Sequence, residues 1–192
     1  QHRFPRHELT IRNLGFSGDE LTLRLRSMNF GSPDDWLSRC QADVVLAFFG
    51  YNESYAGSAG LPKFKSDLEQ FIRHTLSQQY NGKSRPRLVL FSPLAHEDLH
   101  DRNLPDGREN NERLALYTSA MADVARAQGV IFVDLFGPRF DQNSGAQTDI
   151  TINGVHLNQF GDRLVATHID RVLFGPPERA LDYRALEPLR AE

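Results

Sequence analysis

Residues 43–50 read Asp43-Val44-Val45-Leu46-Ala47-Phe48-Phe49-Gly50, an unbroken apolar run of strand length closed by a glycine. Apolar side chains on both faces suit a strand covered on both, as in a parallel sheet between helices. The flanking sequence agrees. Downstream, Leu61, Phe64, Leu68, Phe71, Ile72 and Leu76 recur at helical spacing, and Asn81-Gly82 offers a stop. Residues 87–91 (RLVLF) predict a second buried strand, ended by Ser92-Pro93, and a polar loop runs from 96 to 108. Leu114, Tyr117, Met121, Val124 and Ala125 mark another helix, closed by Gly129 before a third strand at 130–135 (VIFVDL). Residues 136–148 read as loop. Phe160, Leu164, Val165, Ile169 and Val172 mark a last helix, ended by Gly175-Pro176-Pro177.

Upstream, Ser32-Pro33-Asp34-Asp35 starts a short helix with a capping serine, an early proline and acidic residues at the positive dipole end. Residues 7–13 (HELTIRN) alternate at Leu9 and Ile11 and predict a strand; a turn over 14–19 and a short helix over 20–27 follow. Strands alternating with helices predict an α/β fold: a three-layer α/β/α sandwich on a mostly parallel sheet. Residues 1–175 are expected to form the domain, and 176–192 a charged tail or the start of a linker.

Composition removes several classes. The 192 residues carry a net charge of −3, which argues against a nucleic-acid surface. Cys40 is the single cysteine, so no intrachain disulfide forms. No apolar run reaches the roughly 18 residues of a membrane span; residues 1–192 show no signal-peptide pattern, and any such peptide would lie before Gln1.

Sites in such sheets form at the carboxyl ends of strands. The loops there are the turn over 14–19, Gly50-Tyr51-Asn52-Glu53, and 92–96. Gly18 could offer a backbone N–H and Asn52 a side-chain amide, two donors of the kind that make an oxyanion hole. His156, on the loop before the last helix, has the proton chemistry of a general base. Ser17, Asp19, Glu53 and His96 share these loops and are the candidate substrate-binding residues.

Taken together, the blocks resemble a known family. Asn13-Leu14-Gly15-Phe16-Ser17-Gly18-Asp19 resembles the second block of the SGNH, or GDSL-type, hydrolases. Phe49-Gly50-Tyr51-Asn52-Glu53 resembles their third, usually G-x-N-D, and Asn153-Gly154-Val155-His156-Leu157-Asn158 their last, usually D-G-x-H-x-N. The resemblance spans roughly residues 8–174 and implies a flavodoxin-like strand order, 2-1-3-4-5. By position it makes Gly18 and Asn52 the oxyanion donors and His156 the base. It implies ester hydrolysis without metal or organic cofactor, a small-molecule or glycan ester as substrate, and a secreted or periplasmic setting.

The chain departs from the pattern at three places. No G-D-S serine motif occurs, Asn153 stands where the family has its catalytic Asp, and Glu53 stands where the third block has Asp. The first block also carries the central strand. An upstream segment of the same protein, or another chain, is therefore expected to complete the sheet and supply the serine. Asp149 is a further carboxylate near the histidine.

Three other readings remain open. Gly15-Phe16-Ser17-Gly18 resembles a nucleophile elbow, but Asp19 occupies the place of its last glycine. His96-Glu97-Asp98-Leu99-His100 matches H-E-x-x-H, the signature of a zinc hydrolase, but Asn103, Pro105 and Gly107 would break its helix. On the hydrolase reading, His96 and Glu97 line the rim of the cleft instead. Lastly, the departures at the serine and at Asn153 fit a catalytically inactive SGNH-like module that binds a glycan or a protein partner.

Overall fold

The computed structural model describes residues 3, 6–24, 29–138, 140 and 148–176. The described residues form α1 (Pro33–Arg39), β1 (Val44–Phe48), a 3-10 turn (Glu53–Ala56), α2 (Gly57–Ser77), β2 (Arg87–Phe91), α3 (Arg108–Gln128), β3 (Ile131–Val133) and α4 (Gln159–Phe174). The strands are parallel in the order β1-β2-β3, with Leu46 opposite Val89 and Val89 opposite Ile131.

Register decides which residues share a face. Ala47, Leu88 and Leu90 face α2 and α3, and with Phe64, Leu68, Ile72, Leu114, Tyr117 and Met121 they make one buried cluster. Val89, Phe91 and Val133 face the other way and pack with Leu135, Ile150 and Val165 of α4. Helices on both faces of a parallel sheet give the α/β layering that the sequence predicts. Each fully buried Leu or Ile here contributes about 1.5–3 kcal/mol.

The turn chemistry explains the element ends. Ser32 accepts from the Asp35 N–H while the Asp35 carboxylate accepts from the Ser32 N–H, a complete capping box on α1. Gly129 closes α3 with φ +67°, which favours glycine. α2 ends at Ser77, four residues before the expected stop. Asn81 instead builds a turn of its own, its Oδ1 accepting from the N–H groups of Lys83 and Ser84.

Two expectations are corrected. Residues 7–13 form no strand, and Ile11 is 85% exposed. Alternation makes a strand possible, but a strand also needs a neighbour to take its backbone hydrogen bonds, and among the described residues none lies beside it. Residues 20–24 are not helical; 25–28 fall outside the described residues, as do most of the 136–148 loop and the tail from 177.

The same shortage of neighbours shows at β1. It is an edge of the described sheet, and Val44, Leu46 and Phe48 are 47%, 49% and 54% exposed. Phe48 lays one ring face on buried Phe91, with centroids 4.2 Å apart. α4 covers Val89, Phe91 and Val133 but leaves the β1 part of this face open. Open apolar edges of parallel sheets are uncommon.

Ser92, just after β2, is a structural residue. Its Oγ accepts from the Leu135 N–H at 2.7 Å and the Phe136 N–H at 3.1 Å, tying the ends of β2 and β3 together. Phe136 also donates to Asp134 Oδ1, whereas Ser92 Oγ is the acceptor for Leu135. Ser92→Ala should therefore strand one buried N–H and cost about 1–3 kcal/mol in urea unfolding. A smaller loss would show that a water takes the place of the hydroxyl.

Candidate active site

Gly18 lies in a tight turn in which the Asp19 N–H donates to Phe16 O, and its φ of +81° is one that a glycine adopts without strain. Asn52 follows β1 with helical backbone angles, yet its side chain does not cap the 3-10 turn. The Asn52 amide instead donates to Asp19 O at 3.3 Å, which brings the two loops together. Among the described residues, the Gly18 N–H and the second hydrogen of the Asn52 amide have no acceptor.

Glu53 fixes this corner. Its Oε1 accepts from the Leu21 N–H and its Oε2 from the Gly50 N–H, each at 2.9 Å. Burial raises its pKa, against the lowering pull of those N–H groups. With both oxygens engaged by backbone, Glu53 is a tie between loops. Ser17 is exposed and Asp19 half-buried on the same turn.

The histidine block forms a small hairpin. The Ile152 N–H donates to His156 O and the Asn158 N–H to Ile150 O, and Gly154 sits at φ +85°. Asn153 Oδ1 accepts from the His156 N–H at 3.0 Å and meets His156 Nδ1 at 3.1 Å. The backbone donor identifies that atom as the amide oxygen, so Nδ1 must carry the proton. In the neutral ring Nε2 is then the lone-pair nitrogen, on an exposed ring and without a partner among the described residues. This is the tautomer a general base needs. Asn158 Nδ2 donates to Asp149 O, while its Oδ1 caps α4 by accepting from Phe160 and Gly161.

His96 links the two halves. It is 6% exposed, so it does not line the rim as the sequence suggested. Its Nδ1 lies 3.3 Å from the Tyr51 hydroxyl and 3.0 Å from Asn110 Nδ2. Burial, followed by its hydrogen bond with Tyr55, pushes the Tyr51 phenol up to about 12, so it remains neutral. Arg113 donates to Asn110 Oδ1, which turns the amide N–H toward His96. The Asn110 amide N–H facing Nδ1 places the proton on Nε2, which has no partner among the described residues. The ring lies between two glycines: a Cβ on Gly107 would come within 2.6 Å of it and one on Gly154 within 2.5 Å.

That packing yields a prediction. Gly154→Ala would need both a positive φ and room already held by His96 and by Glu97 O, 2.9 Å from the added carbon. It should cost about 2–5 kcal/mol in thermal or urea unfolding. Gly57→Ala is the control, since its φ is +61° but nothing lies within 4 Å of the added carbon. Equal losses would show that backbone strain alone, without contact with His96, sets the cost.

The zinc-hydrolase reading is corrected by local geometry. Residues 92–100 form no helix, so His96 and His100 do not share a helical face. His100 is exposed with φ +54° and pairs with Asp98. Glu97 is bound to backbone N–H groups of the histidine hairpin. No group of three or more His, Cys, Asp or Glu among the described residues could hold a metal ion. No helix among them is long and apolar enough to cross a membrane.

Contacts thus run from Gly18–Asp19 to Asn52, from neighbouring Tyr51 to His96, and from His96 through Gly154 to Asn153 and His156. Glu97, expected on the cleft rim, instead binds the histidine hairpin, and the roles of Thr151, Asn110 and Asn158 were not anticipated from the sequence. Asn158, directly before an amphipathic helix, carried a legible cap signal; the others act across loops and left none.

Solved structures share this fold. An acetylxylan esterase, Axe2 from Geobacillus stearothermophilus, matches at 15% identity over 74% of this chain and 64% of its own, with a TM-score of 0.52. LAE5, an alpha/beta hydrolase enzyme from the metagenome of Lake Arreo, Spain, matches at 17% over 71% of this chain and 62% of its own, with a TM-score of 0.52. BT4096, a gut microbial diltiazem-metabolizing enzyme, matches at 14% over 68% of this chain and 32% of its own, with a TM-score of 0.53. The chain therefore spans less than two thirds of the length of each. No curated protein matches it in sequence. The profile of the GDSL-like lipase/acylhydrolase family matches residues 1–164; with the three sequence blocks on their expected loops, the chain belongs to that family.

Proposed function

We propose that this chain carries the base and the oxyanion donors of a carboxyl-ester hydrolase whose nucleophilic serine lies outside residues 1–192. One observation carries the reading: Asn153 holds His156 in the tautomer that leaves Nε2 open as a base. In the reaction, serine Oγ attacks the ester carbonyl and Nε2 takes its proton. The Gly18 N–H and the Asn52 amide receive the oxyanion. The imidazolium then protonates the leaving alcohol, and water releases the acid by the same steps.

The serine arrives on a strand that pairs with the open edge of β1. Exposed Val44, Leu46 and Phe48 supply an apolar face for it, and its carboxyl end then lies beside the Gly50–Asn52 loop. An acyl group on a carbohydrate is the favoured substrate class, supported by the acetylxylan esterase among the structural neighbours. Ser17, Asp19 and His96 remain candidates for shaping the substrate pocket.

Asn52→Ala tests the oxyanion assignment. The kcat for p-nitrophenyl acetate should fall by about 10²–10³, with KM little changed. An unchanged kcat would remove Asn52 from the reaction. The second reading, an inactive binding module, draws on Asn153, because an amide cannot stabilise an imidazolium as a carboxylate does.

A further inference from the structure

We infer that Glu97 is a positioning residue for His156, a carboxylate strap that sets the histidine hairpin against the sheet. The inference rests on the function proposed above. Glu97 Oε1 accepts from the Ile150 N–H at 2.9 Å, and Oε2 accepts from the Thr151 N–H at 2.8 Å and from the Thr151 hydroxyl at 2.5 Å. Thr151 Oγ1 in turn accepts from the Gly154 N–H at 2.9 Å. The Glu97 N–H donates to Gly154 O at 2.9 Å, so one residue grips both sides of the turn. Charge-assisted bonds of this kind are roughly twice as strong as neutral ones.

These contacts divide the work. Asn153 orients the imidazole within the hairpin, and Glu97 orients the hairpin within the fold. Ile150 and Thr151 are buried, at 8% and 4% exposure, so their N–H groups have no ready substitute in solvent. The Thr151 hydroxyl relays the hold to Gly154, the residue after Asn153. A shift of about 1 Å at a reacting group can cost 10²-fold in rate. The strap acts on that scale without touching substrate.

The test compares wild type, Glu97→Ala and Glu97→Gln. In Glu97→Ala, kcat for p-nitrophenyl acetate should fall by about 10²-fold while KM stays within about twofold. Glu97→Gln keeps one acceptor oxygen and should recover at least about tenfold of that loss. Amide hydrogen exchange supplies the readout independent of activity. Exchange at Ile150, Thr151 and Gly154 should rise by at least about tenfold in Glu97→Ala, with Leu68, Ile72 and Leu114 unchanged. An equal rise throughout the domain, unchanged exchange in the hairpin, or a loosened hairpin with full kcat would overturn the strap. If wild type does not hydrolyse the ester, the proposed function fails instead. The strap is then decided by exchange together with the His156 Nδ1–H proton resonance. Loss of that resonance in Glu97→Ala supports it, and retention overturns it.

Discussion

His156→Ala is expected to lower kcat for p-nitrophenyl acetate by about 10²–10⁴-fold, the usual worth of a positioned general base. KM should change little, because the imidazole acts on the serine proton and contributes little to ground-state binding. Folding should be nearly unaffected, since the His156 side chain is exposed and its ring makes a hydrogen bond only to Asn153 among the described residues. That separation makes the variant informative. Stopped activity in a stable protein locates the base, and equal rates for the two proteins would favour a binding module.

Asn153→Asp is expected to raise kcat by about 10–10³-fold. The replacement is nearly isosteric and keeps the acceptor that meets the His156 N–H at 3.0 Å and Nδ1 at 3.1 Å. It adds a negative charge beside the imidazolium that forms in the transition state. In serine proteases the reverse change costs about 10⁴. A smaller gain is expected here because His156 is exposed and water screens the pair. Asn153→Ala should move the other way, since the ring then loses both orientation and tautomer. A kcat unchanged by Asn153→Asp would separate His156 from the chemical step.

Much of this was readable in the residues. The run at 43–50 gave β1 because its apolar side chains serve two faces at once, and Arg87–Phe91 was read residue for residue. Gly129 marked a helix end by its backbone freedom. Residues 7–13 show the limit of periodicity. Alternation states which side chains would face inward but says nothing of whether a neighbouring strand is present. H-E-x-x-H shows a second limit, since the same residues suit a helix with zinc or a loop with backbone donors. Tertiary contact at Ile150 and Thr151 decides between them, and that contact bridges more than fifty residues of sequence.

The most direct test of the central claim is labelling of the full-length protein with a fluorophosphonate, followed by intact mass and peptide mapping. The account predicts one adduct per chain, on a serine outside residues 1–192, with labelling abolished in His156→Ala. An adduct on Ser17, or labelling that survives loss of His156, would contradict it. So would a protein that stays unmodified.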